Sequence, residues 1–344
     1  MTVKIGINGF GRIGRLAFRR IAEVEGLEVV AINNISTMEN AAYLLKYDTA
    51  HRPWRGHDIK VDGTTMWVDG KPVYFVGEKD PSKIKWADYG VDLVLECTGI
   101  FKDMDTASLH LKNGGVKGVV ISAPAGKGVP TFVYGVNHDK LRADMTIISA
   151  SSCTTNCLAP ISKVLNDNYG IEGGFMTTVH AYTNDQTTLD LVKESDFRRG
   201  RAAAANIVPS STGAAKSIDL VIPELKGRLN GGAFRVPVID GSLVDLTVGL
   251  KTKGVTVEAI NAAMKAASES TLKDVLAYTE EQVVSSDILG ETAGSIFDAT
   301  QTKVVKTPEG EEYVKVVSWY DNEYSYTCQY IRTTLAFAKT LGLK

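Results

Sequence analysis

The sequence predicts an α/β first half followed by an α+β second half, on three observations. The chain has 344 residues, long for one hydrophobic core and in the range where chains divide into domains. Its opening segment reads as strand, glycine loop, helix and strand. Midway along, a short strand runs into a cluster of small hydroxylated residues around Cys153 and then into a helical stretch.

Residues 3–7 alternate with β-branched side chains as a strand should. Asn8-Gly9-Phe10-Gly11-Arg12-Ile13-Gly14 follows, then a helical run over 15–24 with Leu16, Ile21 and Ala22 apolar, then a strand over 28–33. Gly9, Gly11 and Gly14 match G-x-G-x-x-G in the place that gives the motif meaning, between strand and helix. A tight turn there lets backbone N–H groups reach a pyrophosphate at a helix N-terminus, and a side chain would block the approach. The first half is therefore expected to be a Rossmann dinucleotide-binding domain.

Such sites carry a carboxylate at the end of the second strand for the ribose hydroxyls. Here that end reads Ala31-Ile32-Asn33-Asn34-Ile35-Ser36-Thr37, without one. Asn34 can donate to a hydroxyl or a phosphate and does not repel a 2′-phosphate, so NADP or dual use stands open beside NAD. Strands expected over 91–96 and 118–122 end in Thr98-Gly99 and Ser122-Ala123-Pro124. Ligands bind beyond the carboxyl ends of parallel strands, so these turns should face the cofactor. Between 45 and 77 the turns Asp62-Gly63 and Asp69-Gly70 suggest an inserted antiparallel excursion.

Composition excludes several functions. With 44% hydrophobic and 23% charged residues the chain reads as soluble and globular. A net charge of −2 does not provide the basic face of a dedicated nucleic-acid binder. The apolar stretches are strand-sized, and the N-terminus has no secretory h-region, so no membrane module and a cytoplasmic location are expected. The four cysteines are too few for a disulfide framework. Cys153 and Cys157 are spaced C-x-x-x-C with no second ligand pair nearby, so no metal site is expected, and Cys97 and Cys328 read as inert buried thiols.

A strand over 147–150 leads into Ser151-Ser152-Cys153-Thr154-Thr155-Asn156-Cys157-Leu158-Ala159-Pro160, and a helical run covers 161–167. Cys153 thus falls at or near a helix start, where the dipole and free N–H groups favour a thiolate. A thiol nucleophile needs a base. His51 and His57 lie in the polar insertion, His110 on a helix face and His138 in a turn, all structural readings. His180 closes a strand over 174–179 and opens the polar loop Ala181-Tyr182-Thr183-Asn184-Asp185, which makes it the best candidate base.

At this point the segments resemble one family. Ala150-Ser151-Ser152-Cys153-Thr154-Thr155-Asn156-Cys157 is similar to the active-site signature of glyceraldehyde-3-phosphate dehydrogenases. The start at Ile5-Gly6-Ile7-Asn8-Gly9-Phe10-Gly11-Arg12-Ile13-Gly14 is similar to theirs, as are Ser210-Ser211-Thr212-Gly213-Ala214-Ala215-Lys216, Phe234-Arg235-Val236-Pro237 and Ser318-Trp319-Tyr320-Asp321-Asn322-Glu323-Tyr324. The resemblance runs end to end and implies a phosphorylating oxidation of glyceraldehyde 3-phosphate through a Cys153 thioester, with His180 as base, NAD as hydride acceptor and inorganic phosphate as second substrate. It implies that Thr183 and Arg235 hold the substrate phosphate with Asp185 orienting Arg235. Ser152, Thr154, Arg198, Thr212 and Gly213 would hold the attacking phosphate. On the cofactor side it implies Gly9, Gly11, Arg12 and Ile13 at the pyrophosphate, Asn34 at the ribose, Lys79 near the adenine, Thr98 and Ser122 at ribose and nicotinamide, and Asn322 at the carboxamide.

The implied domains are 1–152, completed by a C-terminal helix over 321–344, and a catalytic domain over 153–320 with a mixed or antiparallel sheet and helices on one side. Strands are expected over 175–182, 228–237, 243–250 and 314–320, and a helix over 256–270 with Ile260, Met264 and Ala267 on one face. The family is homotetrameric, which places 201–207 near a tetramer centre. Two positions depart from NAD-specific members: Asn34 for the usual aspartate, and Leu191-Val192-Lys193 for the usual leucine-proline pair. Erythrose-4-phosphate dehydrogenase, a relative that releases its acyl group to water, is the alternative enzyme. A non-catalytic binding role is the alternative of another class.

Overall fold

The computed structural model describes residues 2–343. The chain forms two compact units: one runs through Ser151 and resumes at Tyr330, the other is Ser152–Gln329.

The first unit begins β1 (Val3–Asn8), α1 (Arg12–Glu23), β2 (Leu27–Asn33) and α2 (Met38–Lys46). It continues with β3 (Ile59–Asp62), β4 (Thr65–Val68), β5 (Lys71–Val76), β6 (Leu93–Glu96), α3 (Met104–Ala107), β7 (Gly118–Ile121) and β8 (Ile147–Ser149). The eight strands form one sheet in the order β3-β4-β5-β2-β1-β6-β7-β8. From β5 to β8 every pairing is parallel, and β3 and β4 are antiparallel at one edge. The expected excursion therefore does not stand apart: β5 pairs with β2 and extends the main sheet. β6 and β7 are buried at every position, as strands covered on both faces must be, and this is why they read as apolar runs, with Glu96 at the end of β6 the one charged residue. The last helix, α7 (Tyr324–Thr340), contributes Tyr330 and Phe337 to this core. The Tyr330 hydroxyl donates to Val120 O at 2.6 Å.

Where β1 turns into the first turn of α1 two glycines are required by space. Gly9 has φ +90° and lies so close to Thr98 that a Cβ would sit 2.8 Å from its amide nitrogen. A Cβ on Gly14 would sit 2.1 Å from Gly9 O. That contact is what lets α1 start directly over the end of β1.

The second unit opens with α4 (Cys153–Tyr169), β9 (Ile171–Ala181), β10 (Val208–Ser210), α5 (Ala214–Val221) and β11 (Leu229–Val236). β12 (Ser242–Leu250), α6 (Val257–Glu269), β13 (Leu276–Thr279), β14 (Ser295–Lys306) and β15 (Glu312–Tyr320) complete it. The sheet order is β10-β11-β9-β12-β15-β14-β13. The sheet is mixed: β11 runs parallel to β9 and β13 to β14, the rest antiparallel. The β9-to-β11 connection contains β10 and α5, long enough for the crossover a parallel pair needs. β12 alternates buried and half-buried residues along its whole length, so one sheet face is the core face. Thr256 caps α6, and Ile260 and Met264 are its buried residues; Ala267 is half-buried.

Several elements differ from the sequence expectation, β10, α5 and β13 among them, and two of the differences have a clear physical reason. α4 starts at Cys153, eight residues before the predicted run, and carries Pro160 inside it. The proline removes one i→i−4 bond, yet Thr154 to Leu165 is buried almost throughout, and packing outweighs the local cost. β14 was not expected, because its ladder with β15 shifts register between Asp298 and Lys303 and breaks the alternation that marks a strand. No helix among the described residues is long and apolar enough to cross a membrane.

Gly14→Ala forces its new methyl into Gly9 O. It should destabilise the protein by about 1–3 kcal/mol, the usual cost of overpacking, read as a lower urea midpoint. An unchanged midpoint would contradict the packing described.

Candidate active site

In the second unit the reactive groups come from the start of α4 and the ends of β9, β11 and β15. The turn into α4 is sharp. Ser151 takes a left-handed conformation at φ +63°, uncommon for a residue with a Cβ, and Ser152 then caps the helix, its Oγ accepting from Thr155 N at 3.1 Å. The cap leaves the Cys153 backbone N–H outside the helix ladder.

Cys153 Sγ lies 3.5 Å from His180 Nε2. His180 Nδ1 lies 2.7 Å from Ala181 O and 2.8 Å from Arg235 Nη1. That arginine nitrogen has two protons and two oxygen acceptors, Ala181 O at 3.0 Å and Thr183 Oγ1 at 3.1 Å. The Nδ1 proton accordingly goes to the Ala181 carbonyl, and Nε2 turns its lone pair to the sulfur. His180 and Arg235 are cross-strand neighbours in the parallel β9–β11 pair, so sheet register brings them together. The His180 ring also meets the Tyr320 ring edge-on, with centroids 5.8 Å apart.

Burial pushes the Cys153 thiol above its usual range, against the pull of the Arg235 charge. Burial and the Arg235 charge bring His180 down to about 3. The helix start alone predicts a depressed thiol, but enclosure of the sulfur outweighs it. The pair rests as neutral thiol and neutral imidazole near pH 7. The other cysteines offer no such arrangement. Burial raises Cys97 and Cys157 to about 12, and Cys157 packs against Ser295 and the Ser318 carbonyl.

Arg235, Thr183 and Asp185 form a chain rather than a direct pair. Arg235 donates to the Thr183 hydroxyl, which donates to the Asp185 carboxylate. Asp185 is paired with Arg199, and Lys193 Nζ donates to its backbone carbonyl. Arg199, which the sequence reading did not single out, thus joins this group. Arg198 and Arg199 are adjacent in a 3₁₀ turn, and that turn leaves Arg198 exposed while half-burying Arg199. Although burial raises Asp185, the Thr183 hydroxyl and the charges of Arg199, Arg235 and Lys193 hold it below the usual carboxylate range. Three cations thus surround one carboxylate, and Arg235 Nε is buried with no hydrogen-bond partner.

Other expected residues are engaged in ways the sequence does not reveal. The Thr154 hydroxyl is 2.9 Å from Tyr320 OH, which is 2.8 Å from Thr178 Oγ1. Burial keeps Tyr320 well above its ordinary value and therefore protonated. Thr212 Oγ1 accepts from Ala214 N at the start of α5, where Gly213 is the cap residue. Asn322 Oδ1 accepts from Ser242 Oγ at 2.6 Å, which orients the amide with Nδ2 as its remaining donor.

The first unit provides a cradle that fits a dinucleotide pyrophosphate. Gly11 precedes α1 without a side-chain cap, the first turn holds no acidic residue, and a Cβ on Gly11 would meet nothing within 4 Å. The helix start is thus open, uncapped and free of repelling charge. Ile13 is half-buried in that first turn. The Arg12 side chain forms a two-pronged pair with buried Asp48. Asn34 Oδ1 accepts from Phe10 N at 3.3 Å and its Nδ2 donates to Ser36 Oγ at 2.6 Å, so a neutral amide stands at the end of β2. Thr98 is held by Glu96, Ser122 N bonds Glu96 O, and Lys79 is exposed.

Two family models match the chain: the NAD binding domain of glyceraldehyde 3-phosphate dehydrogenase over 3–104 and its C-terminal domain over 152–322. The chain is 55% identical to the glyceraldehyde-3-phosphate dehydrogenase of Clostridium pasteurianum over 337 residues, 98% of each chain. It is also 55% identical to that of Streptococcus pyogenes serotype M3 over 340 residues, 98% of this chain and 99% of the relative. The chain belongs to the glyceraldehyde-3-phosphate dehydrogenase family and is an oxidoreductase with an NAD-binding domain.

The buried neutral His180 predicts an acid-sensitive fold. Its folded value, about 3, lies below the ordinary 6.5, so the unfolded chain binds the proton first. Its contribution is complete above pH 6.5 and is lost as pH falls towards 3. Urea unfolding of His180→Asn should therefore lose stability less steeply across that window than wild type. Parallel pH profiles would refute a neutral buried imidazole.

Proposed function

We propose that this chain catalyses the phosphorylating oxidation of D-glyceraldehyde 3-phosphate to 1,3-bisphosphoglycerate, through a thioester on Cys153. The observation that carries the reading is the Cys153 Sγ to His180 Nε2 contact of 3.5 Å, with the imidazole lone pair held towards the sulfur.

His180 Nε2 takes the thiol proton as the sulfur attacks the aldehyde carbon, and returns it to the new oxyanion to give a thiohemiacetal. The backbone N–H of Cys153, at the helix start, is proposed as a donor to that oxyanion. His180 then takes the hydroxyl proton as the carbon is oxidised to the thioester. NAD, when bound, accepts the departing hydride. Inorganic phosphate attacks the thioester carbon, the Cys153 sulfur leaves, and the proton on His180 restores the thiol. Tyr320, kept protonated, packs against the imidazole and holds Thr154, so both reacting elements keep their positions.

Thr183, Arg235 and Arg199 bind the substrate phosphate in this reading. The excess of cations around Asp185 and the unpartnered Arg235 Nε support an anion there. Ser152, Thr154, Thr212, Gly213 and Arg198 remain the residues proposed for the attacking phosphate. The Thr154 hydroxyl would exchange its Tyr320 bond to serve it. Gly9, Gly11, Arg12, Ile13, Asn34, Lys79, Thr98, Ser122 and Asn322 are proposed for the cofactor, Asn322 through its free Nδ2.

Asn34 supports use of both NAD and NADP, since no carboxylate opposes a 2′-phosphate at the end of β2. A homotetramer is supported by Leu189, Leu191, Val192, Phe197 and Ile207, all two-thirds or more exposed along one loop. A cytoplasmic enzyme of glycolysis or gluconeogenesis follows from this reaction.

His180→Asn should lower kcat by about 10²–10⁴ and Cys153→Ala should abolish turnover. NADH formation should depend on phosphate with glyceraldehyde 3-phosphate. Phosphate-independent turnover that favours erythrose 4-phosphate would replace this reading with the other enzyme. For the cofactor, wild type should use NADP within about a thousandfold of NAD in kcat/KM, since an asparagine should not discriminate by more than about 4 kcal/mol. Asn34→Asp should lower NADP efficiency at least tenfold and spare NAD. A larger wild-type preference for NAD, or no response to the aspartate, would defeat dual use.

A further inference from the structure

The carboxyl ends of β2, β1 and β6 are joined by a buried chain of polar side chains. Asn33 exchanges two bonds with the Glu78 backbone, both 2.8 Å, and donates to Asn8 Oδ1 at 2.7 Å. Asn8 Nδ2 donates to Glu96 Oε2 at 2.5 Å. His110 Nε2 lies 3.0 Å from the same oxygen, and Trp86 Nε1 donates to His110 Nδ1 at 3.1 Å. Thr98 contacts the other oxygen twice, through N at 2.8 Å and through its hydroxyl.

This network has one consistent arrangement of protons. Indole N–H only donates, so His110 Nδ1 is the acceptor and Nε2 carries the proton towards Glu96. Three of the four groups facing Glu96 are N–H donors and the fourth is the Thr98 hydroxyl, two groups on each oxygen, so the side chain accepts at both oxygens and has no exposed surface. A buried carboxylate is costly unless such donors satisfy it. The fold retains one at the point where the glycine turn meets Thr98. The residues it grips are the two that shape that turn: Asn8, which precedes Gly9, and Thr98, whose amide lies against Gly9 so closely that no Cβ fits between them. No reaction step assigned above uses Glu96 or His110.

We propose that Glu96 is a positioning residue for the dinucleotide. Its carboxylate sets Asn8 and Thr98 against the Gly9 turn and thereby gives the pyrophosphate cradle its shape, while His110, its tautomer fixed by Trp86, holds the carboxylate in place. This rests on the cofactor reading above. Glu96→Gln sets an NH₂ group against an N–H donor whichever way round it sits: against Asn8 and His110 in one oxygen's place, against the Thr98 amide in the other's. His110 cannot turn its lone pair to meet that NH₂ while Trp86 holds Nδ1 as the acceptor.

Titration calorimetry with NAD tests this. Glu96→Gln should raise the NAD dissociation constant at least tenfold. Iodoacetamide alkylation of Cys153 without cofactor should stay within twofold of wild type, because that site belongs to the other unit. Adding Trp86→Phe should recover at least threefold of the lost affinity, since His110 can then move its proton to Nδ1 and accept from the amide. A merely structural role would not be rescued by deleting a second core hydrogen bond. A folded Glu96→Gln protein that binds NAD within threefold of wild type overturns the proposal, as does equal loss of NAD affinity and alkylation rate. Should Glu96→Gln not fold, Glu96→Asp takes its place under the same tenfold and threefold criteria. Wild type failing to bind NAD would overturn the cofactor reading itself, a separate result.

Discussion

The chemistry of the second unit depends on the carbonyl oxygen of Ala181. It accepts from His180 Nδ1 at 2.7 Å and from Arg235 Nη1 at 3.0 Å. The first contact fixes the imidazole tautomer and turns the Nε2 lone pair to Cys153. The second brings a permanent cation beside the base, which helps keep His180 neutral, and extends the same guanidinium to Thr183. One backbone oxygen thus couples the proton-transfer pair to the candidate anion site. It does so because β9 and β11 are parallel and in register at His180 and Arg235.

Partial burial keeps Cys153 protonated at rest. A sulfur raised by burial stays a thiol, less open to oxidation than a free thiolate. In the proposed reaction it becomes nucleophilic when its proton moves to His180, 3.5 Å away. In that reaction the helix start is proposed to offer the oxyanion a backbone N–H rather than to hold a standing thiolate. The strained turn at Ser151 is what places Cys153 as the first helical residue, with that N–H outside the ladder.

The two units use buried polarity in the same way. In each, a local motif carries the chemistry and a polar chain from distant residues holds it. Thr154, Tyr320 and Thr178 do this behind the cysteine; Asn33, Asn8, Glu96 and His110 do it behind the glycine turn. Such chains are costly when any partner is missing and rigid when all are present. Rigidity is what a site gains from them, since a misplaced reacting group loses rate steeply.

What could be read from the chain alone was whatever lies within one turn or one strand. The spacing of Gly9, Gly11 and Gly14, the hydroxyl-rich approach to Cys153, and His180 before a polar loop are local patterns that covalent geometry ties to local structure. The alternating β12 and the apolar β6 and β7 were legible for the same reason. Tertiary structure decided the rest. That Arg199 turns towards Asp185 while Arg198 stays exposed depends on the phase of a single 3₁₀ turn. Whether β11 runs parallel to β9 depends on a crossover through β10 and α5. Tyr320 meets Thr154 across 166 residues, and Asn8 meets Glu96 across 88. His110, which reads as an ordinary helix-face histidine, becomes the keeper of a buried carboxylate only when β6 has brought Glu96 beside it. Sequence spacing constrains neighbours along the chain, whereas these contacts are set by sheet register and by the need to satisfy every polar group left without water.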